Sequence, residues 1–263
     1  MKKVFFFDVD GTLLPHGNQS EVNPKTIAAL NSLQAAGHDV VLATGKAESM
    51  IQKEIQALSA TNHITMNGAQ LVVEDKVMHI ERIDQAAIEE LKEIARENQL
   101  MLGCQTRHEY YMVDIHYDSP VAMQVLNAVS LDVPEVKADF DYNQTISQMW
   151  FLGDHSNLDF DGHIIPGHRL LKWHDMGCDI VIEGVTKASA IAKYLDLVYP
   201  DTEVETYAFG DGNNDIEMIT SVDVGVAMGN GVDALKQVAN AVTDSCEDLG
   251  VYNYLLQNGF IEG

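Results

Sequence analysis

The residues most able to do chemistry lie at the start of the chain, where Asp8 and Asp10 follow a short apolar run and precede Gly11. Residues i and i+2 of a strand project to the same side, so the two carboxylates are expected to point the same way. Because like charges held this close repel each other, the pair favours a bound Mg2+, which prefers oxygen ligands. Gly11 lets the backbone bend and is expected to leave amides free to face an anion.

Other structures share this residue pattern. Asp-x-Asp-Gly is also typical of an ordinary surface turn, and for this stretch alone that interpretation stays open. An EF-hand loop starting at Asp8 is excluded, because the positions that require Gly and Glu hold Leu13 and Gln19.

A second acidic group, Asp211 and Asp215, follows a predicted strand over residues 206–209. An ordinary loop remains an alternative, since Asp, Asn and Gly are loop residues. An EF-hand starting at Asp211 fails because its twelfth position is Val222. A dinucleotide fingerprint fails because Asp215 occupies the position of its last glycine. Carboxylates gathered from two strand ends need a cation more than a single pair does.

Residues suited to holding an anion follow other predicted elements. Thr44, Gly45 and Lys46 come directly after a predicted strand over residues 39–43, and Lys187 opens a predicted helix. Lysine is a suitable point charge for phosphate. Together with the two acidic groups, these residues make a chance combination of loop motifs a poor explanation.

The elements that carry these residues alternate between apolar strands and amphipathic helices. Such alternation predicts a parallel sheet with helices on both faces, in which ligands bind at the carboxyl ends of the strands. Several adjacent strands with few helices, including a predicted helix over 119–130, indicate an inserted unit of another type. The predicted fold class is therefore α/β: a Rossmann-like, doubly wound parallel sheet over residues 1–82 and 184–263, with an inserted α+β cap domain over residues 83–183.

The amino-acid composition of the chain limits which molecules it is expected to bind. The net charge of −24 argues against nucleic acid and anionic membrane, because the field of the protein would repel both. A phosphate site must therefore build its own positive potential from a metal, a lysine and backbone amides. No apolar run is long enough to cross a membrane or act as a signal peptide, and the three cysteines are widely spaced. These features predict a cytoplasmic protein.

The motifs together resemble those of the haloacid dehalogenase superfamily of phosphatases, in particular its Cof-type branch, whose cap lies between the second and third motifs. The motifs that carry the resemblance are residues 8–14, 43–46, 184–187 and 210–215, and residues 67–69 and 226–230 are also similar to the branch. The resemblance covers nearly the whole chain.

The resemblance implies a role for each motif. Asp8 would be the nucleophile, and Asp10 would protonate the leaving alkoxide and then activate water. Mg2+ would lie between Asp8, the backbone carbonyl of Asp10 and Asp211, with Asp215 nearby. The groups implied to hold the phosphoryl oxygens are Thr44, the Gly45 amide, Lys187 and Asn214. Many relatives have Arg where this chain has Lys46, which keeps the charge but lacks the two-pronged guanidinium.

The resulting hypothesis is a Mg2+-dependent phosphatase that acts on a small phosphomonoester, with sugar phosphates as the favoured class. Two alternatives use the same scaffold. A phosphomutase or phosphotransferase would pass the phosphoryl group from Asp8 to a hydroxyl rather than to water. A sensor of phosphorylated metabolites would bind such a molecule without reacting, although the intact acidic and lysine motifs argue against it.

Overall fold

We describe a computed structural model of the chain. The residues that it describes are 1–15, 21–107, 109–114, 135–136, 140–141, 144–160 and 162–262. Contacts divide the chain into two compact units. The first comprises residues 1–46, 51–79 and 186–263, and the second comprises residues 47–50 and 80–185. The predicted insertion over 83–183 lies within the second unit, and the segment 47–50 joins that unit as well.

One mixed sheet forms the centre of the first unit. Its strands in chain order are β1 (Lys3–Phe7), β2 (Asp39–Ala43), β3 (His63–Thr65), β4 (Gln70–Val73), β5 (Lys76–Ile80), β13 (Glu205–Gly210), β14 (Val224–Ala227) and β15 (Ala241–Val242). Their spatial order is β15-β14-β13-β1-β2-β3-β4-β5. Strands from β15 to β3 run parallel, and β4 is antiparallel to β3. Strands β4 and β5 therefore extend the same sheet beyond β3.

The first strand is central and is buried from Val4 onward. Phe5, Phe6 and Phe7 are completely inaccessible to solvent, as expected for a strand covered on both faces. β1 pairs with β2 on one side and with β13 on the other. The carboxyl ends of these three strands therefore meet at one edge of the sheet.

Helices cover the sheet, and their limits follow local signals. The helices of the first unit are α1 (Pro24–Ala35), α2 (Gln52–Ala57), α4 (Lys187–Val198), α5 (Ile216–Ser221), α6 (Asp233–Val238) and α7 (Gly250–Gln257). Asn23 caps α1 by accepting a hydrogen bond from the amide of Lys25, with Pro24 at the first helical position. Thr186 and Ser189 form a reciprocal capping box at α4, which fixes the backbone at Lys187.

Among its described residues, the second unit contains an antiparallel sheet with one parallel pair, and a helix. Its strands are β6 (Met101–Gln105), β7 (Tyr110–Asp114), β8 (Glu135–Val136), β9 (Gln148–Leu152), β10 (His163–Ile165), β11 (His168–His174) and β12 (Gly177–Ile182), in the spatial order β10-β11-β12-β9-β6-β7-β8. β7 and β8 form the parallel pair. Helix α3 (Gln85–Glu97) is capped by Asp84 and packs Ile88 and Leu91 into the core of this unit. This is the predicted α+β composition.

Some predicted elements differ from the structure. Between β2 and β3 the chain forms a 3-10 turn at Glu48–Ile51 followed by α2, rather than one continuous helix. The short strand β10 was not predicted, and the predicted helix over 119–130 lies outside the described residues. Within the described part of the chain, no helix is both long enough and apolar enough to cross a membrane.

Candidate active site

The predicted functional residues of the first unit follow the carboxyl ends of its strands. Asp8 follows β1, Thr44 follows β2, and Asp211 follows β13. Lys187 is the first residue of α4. Because β13, β1 and β2 are adjacent, residues more than 200 positions apart in sequence, such as Asp8 and Asp211, become neighbours at this edge.

A buried lysine connects two buried carboxylates. Nζ of Lys187 lies 2.6 Å from Oδ1 of Asp8 and 2.6 Å from Oδ1 of Asp215. All three side chains are almost completely shielded from water, so each charge depends on the others for compensation. One ammonium between two carboxylates leaves the trio with a net negative charge.

This environment changes the pKa of Asp8 and Lys187. Burial raises the pKa of Asp8 well above its usual 3.8; Lys187 opposes the shift, whereas Asp215, Asp211 and Asp10 add to it. Burial alone would lower the pKa of Lys187, but Asp215 and Asp8 outweigh that effect and raise it. Lys187 is therefore firmly cationic, and the negative charge around Asp8 exceeds what one lysine can offset.

Asp215 organises the loop that carries Asp211. Oδ2 of Asp215 accepts hydrogen bonds from the amides of Asp211 at 3.0 Å and Gly212 at 2.9 Å. Its other oxygen, Oδ1, accepts from Lys187. Both oxygens of Asp215 are thus engaged, and this side chain ties the Asp211 loop to the lysine.

The carboxylates lie close enough together to share a divalent cation. One oxygen from each of Asp8, Asp211 and Asp215 lies within 4.8 Å of the others. Among the residues that the structure describes, Oδ2 of Asp8 is buried and has no hydrogen-bond partner, which is costly unless a ligand completes it. An all-oxygen donor set with excess negative charge fits a hard cation such as Mg2+.

The carboxylate of Asp10 has a different partner. Its Oδ1 lies 2.6 Å from Nζ of Lys46, and it is not part of the cluster formed by Asp8, Asp211 and Asp215. The side chain of Asp10 remains 37% exposed and that of Lys46 32% exposed. Asp10 is therefore accessible to a substrate, and the predicted metal contact through its backbone carbonyl stays a prediction.

The predicted anion-binding residues differ in whether their hydrogen-bond donors are available. Thr44 is buried, and its Oγ1 accepts the amide of Lys46 at 3.2 Å, so its hydroxyl proton can be donated elsewhere. Gly45 follows it in the same turn. The expectation that the Gly11 amide is free for an anion is wrong, because this N–H donates to the carbonyl of Leu14 at 2.6 Å. Gly11, with φ +78°, instead makes the turn that follows Asp10.

Asn67 and Asn230, to which the sequence assigns no role, contact the predicted site residues. Oδ1 of Asn67 accepts a hydrogen bond from Nδ2 of Asn214 at 3.0 Å. Nδ2 of Asn230 donates to the carbonyl of Gly11 at 2.8 Å and lies 3.4 Å from Oδ2 of Asp211. Asn230 thus joins the loops after β1 and β13. The only sequence signal for either residue is its place in a motif directly after a strand of the sheet.

Comparison with protein families identifies one model that matches residues 5–255, described as haloacid dehalogenase-like hydrolase. The match spans both units and every residue placed at the candidate site.

Individual proteins resemble the chain over its whole length. YkrA of Bacillus subtilis (strain 168), named provisionally as a phosphatase, is 31% identical over 262 residues, which are 99% of each chain. The pyridoxal phosphate phosphatase YbhA of Escherichia coli (strain K12) is 29% identical, covering 97% of this chain and 99% of its own. A solved phosphatase of the haloalkanoate superfamily from Bacteroides thetaiotaomicron has a TM-score of 0.86 at 30% identity, covering 99% of this chain and 96% of that one.

Proposed function

The chain belongs to the haloacid dehalogenase-like hydrolases, and from this premise we propose that it is a Mg2+-dependent phosphatase that hydrolyses a small phosphomonoester through an aspartyl phosphate on Asp8. The observation that carries the proposal is the buried cluster of Asp8, Asp211, Asp215 and Lys187 at the carboxyl edge of the sheet. Phosphoryl transfer depends mostly on positioning and charge neutralisation, and this cluster supports both.

Asp8 and Asp211 would hold the metal through their carboxylates. Asp215 supports the cluster because its two oxygens already bind Lys187 and the amides of Asp211 and Gly212. When bound, the cation would neutralise charge on the carboxylates and the phosphoryl group. Lys187 contributes a second, permanent positive charge beside Asp8. A carboxylate nucleophile needs such compensation to approach a phosphate dianion.

The proposed reaction has two steps. In the first, an oxygen of Asp8 bonds to phosphorus, the bond from phosphorus to the ester oxygen breaks, and the leaving alkoxide takes a proton from the carboxyl group of Asp10. In the second, Asp10 removes a proton from water, the water oxygen attacks phosphorus, and the bond to Asp8 breaks. Free phosphate and regenerated Asp8 result. The exposure of Asp10 supports this role, because its carboxyl group can reach both an alkoxide and water.

The remaining predicted residues would bind the phosphoryl oxygens. Thr44 supports this role through its available hydroxyl proton, and Asn214 through the second hydrogen of Nδ2, the first being donated to Asn67. Gly45 would contribute its amide. The unit over residues 80–185 would select the organic part of the substrate, as a cap does in proteins of this type.

The test is release of inorganic phosphate from a panel of sugar phosphates, nucleotides and pyridoxal phosphate, measured with Mg2+ and with a chelator. We expect Asp8→Asn to abolish turnover while its circular dichroism and thermal unfolding stay close to those of the unchanged protein. Asp75→Asn, in the exposed turn between β4 and β5, is the matched control and should leave turnover unchanged. Near-normal turnover by Asp8→Asn would refute the proposal, and a phosphorylated second product in place of free phosphate would indicate a phosphotransferase.

A further inference from the structure

The turn after β3 has an unusual backbone. Met66 and Asn67 both have φ +52°, and Gly68 has φ +101°. Consecutive left-handed residues that are not glycine are costly and persist only where their surroundings hold them. Gly68 is required by a close approach, because a Cβ at this position would lie 2.2 Å from the carbonyl oxygen of Thr186. The turn therefore packs closely against the backbone of Thr186, the residue before Lys187.

Hydrogen bonds fix the same turn to the residues after β2. The amide of Asn67 donates to the carbonyl of Thr44 at 3.0 Å, and the amide of Met66 donates to the carbonyl of Lys46 at 2.9 Å. A Cβ added at Gly45 would lie 3.1 Å from both Nδ2 and Oδ1 of Asn67. The carboxamide of Asn67 thus lies directly against the backbone of Gly45.

The side chain of Asn67 also reaches the loop after β13. Its Oδ1 accepts Nδ2 of Asn214 at 3.0 Å, although the two residues are 147 positions apart. Asn67 is only 2% exposed, whereas Asn214 is partly accessible. The carboxamide of Asn67 can therefore set the orientation of Asn214, the more accessible of the two side chains.

The hydrogen bond between Asn67 and Asn214 also determines which end of the Asn214 carboxamide faces Asn67. Because Oδ1 of Asn67 accepts, it requires the NH2 end of Asn214 on that side. One hydrogen of this NH2 group is used, and the second is directed by the plane of the same amide. The geometry points to Asn67 as a positioning residue that holds Asn214 for binding of the phosphoryl group. This inference rests on the proposed function, which assigns phosphate binding to Asn214.

The decisive variant removes the carboxamide and keeps the backbone. Glycine adopts the left-handed conformation without strain, so Asn67→Gly tests the side chain alone. Misplacement of a binding group by about 1 Å costs up to about 100-fold, so we expect kcat/KM to fall about 10- to 100-fold. Asp75→Gly is the matched control, since Asp75 also has a left-handed backbone, with φ +62°, but lies in an exposed turn. It should leave kcat/KM unchanged.

A double-mutant cycle separates positioning from general loosening of the fold. If Asn67 acts through Asn214, Asn67→Gly should cost much less in an Asn214→Ala background than in the unchanged protein, because coupled residues are not additive. We expect a further loss of less than about threefold there. An equal loss in both backgrounds, or a loss below about twofold in Asn67→Gly alone, would overturn the inference.

The same cycle is measured a second time by calorimetric titration of the Mg2+-loaded protein with inorganic phosphate. Coupling between residues 67 and 214 in phosphate affinity supports the inference even if no phosphomonoester is hydrolysed, a result that would refute the proposed function alone. Turnover with additive effects would refute the inference alone. An unchanged protein that neither hydrolyses esters nor binds phosphate would overturn both.

Discussion

Nζ of Lys46 lies 2.6 Å from Oδ1 of Asp10, which joins the residue after the second strand to the acid after the first. Both side chains are about one-third exposed, so the pair contributes at most about 1 kcal/mol to stability. We therefore assign the pair a role in orienting Asp10, the proposed proton donor and acceptor. The two residues are 36 positions apart, and no sequence pattern links them.

This pair gives the first prediction. Lys46→Met should lower kcat by about tenfold, because the carboxyl group of Asp10 loses the cation that orients it. Lys46→Arg should retain most activity, since a guanidinium can also reach a carboxylate. Thermal unfolding should change little in either variant. Steady-state kinetics on the best substrate of the panel provides the measurement, and equal kcat values for Lys46→Met and Lys46→Arg would contradict this role.

The second prediction concerns the cation buried between Asp8 and Asp215. Lys187→Met should reduce the free energy of unfolding in the presence of a chelator by about 3–5 kcal/mol, because two buried carboxylates lose their common partner. Urea denaturation measures the loss. Mg2+ should stabilise this variant more than the unchanged protein, since it would offset charge that the lysine no longer offsets.

Lys193→Met is the control for this prediction, because Lys193 lies on the same helix and contacts the side chain of His79 instead. It should cost less than about 1 kcal/mol. A similar loss in the two lysine variants would mean that the helix, rather than the acid cluster, accounts for the effect.

Cys246 offers a third prediction that does not depend on catalysis. Burial raises the pKa of its thiol to about 12, and the negative charges of Asp211, Glu247 and Asp8 add to the shift. Alkylation by iodoacetamide at pH 8 should therefore be slow. A divalent cation held by Asp8 and Asp211 would cancel part of the negative potential, and each half unit of pKa gives about threefold more thiolate.

Mass spectrometry of Cys246 alkylation with and without Mg2+ measures this effect. Asp211→Asn should react faster than the unchanged protein without Mg2+ and should respond less when it is added. Cys104 and Cys178 are fully buried and serve as internal controls. Acceleration of all three thiols would indicate general opening of the fold, and no acceleration of Cys246 would argue against the metal site.

The fourth prediction concerns pH and stability at the opposite end of β2. Burial alone would raise the pKa of Asp39, but hydrogen bonds from Lys2, Tyr199 and Tyr194 outweigh it and lower the pKa below 3.8. A carboxyl group whose pKa is lower in the folded state stabilises the fold above its unfolded pKa. That contribution disappears as the pH falls through the folded pKa.

Asp39→Asn should therefore cost about 1–3 kcal/mol at pH 7, and the difference from the unchanged protein should shrink below about pH 4. Urea denaturation at pH 7 and at pH 3.5 checks both values. Tyr199→Phe removes the hydrogen bond that Asp39 accepts at 2.5 Å. It should therefore reduce the part of the free energy of unfolding that changes with pH. A difference that is constant with pH would show that packing, and not charge, explains the loss.

Elements with local signals could be predicted from the sequence. The strand over residues 39–43 was predicted with its observed limits because its apolar run is continuous and bounded by polar residues. The starts of α1 and α3 have local signals too, because Asn23 and Asp84 are capping residues followed by helical periodicity. The motifs also placed Asp8, Asp211 and Lys187 at one sheet edge, as strand alternation requires.

Features that depend on distant contacts or on the detailed path of a loop backbone could not be predicted. The role inferred for Asn67 arises from a left-handed turn and a partner 147 residues away. The Gly11 amide was expected to be available, but its bond to Leu14 depends on how that turn closes. The use of both oxygens of Asp215 within the protein likewise follows from the path of its own loop.

The central position of β1 has a consequence for synthesis of the protein. On the ribosome, the emerging chain can pair this strand with β2 early, but its second neighbour is made only when residues 205–210 appear. Until then, one side of a phenylalanine-rich strand has unsatisfied backbone groups, which favours pairing with other molecules. Nascent chains that stall before β13 should therefore be the species most prone to aggregate and most dependent on chaperones.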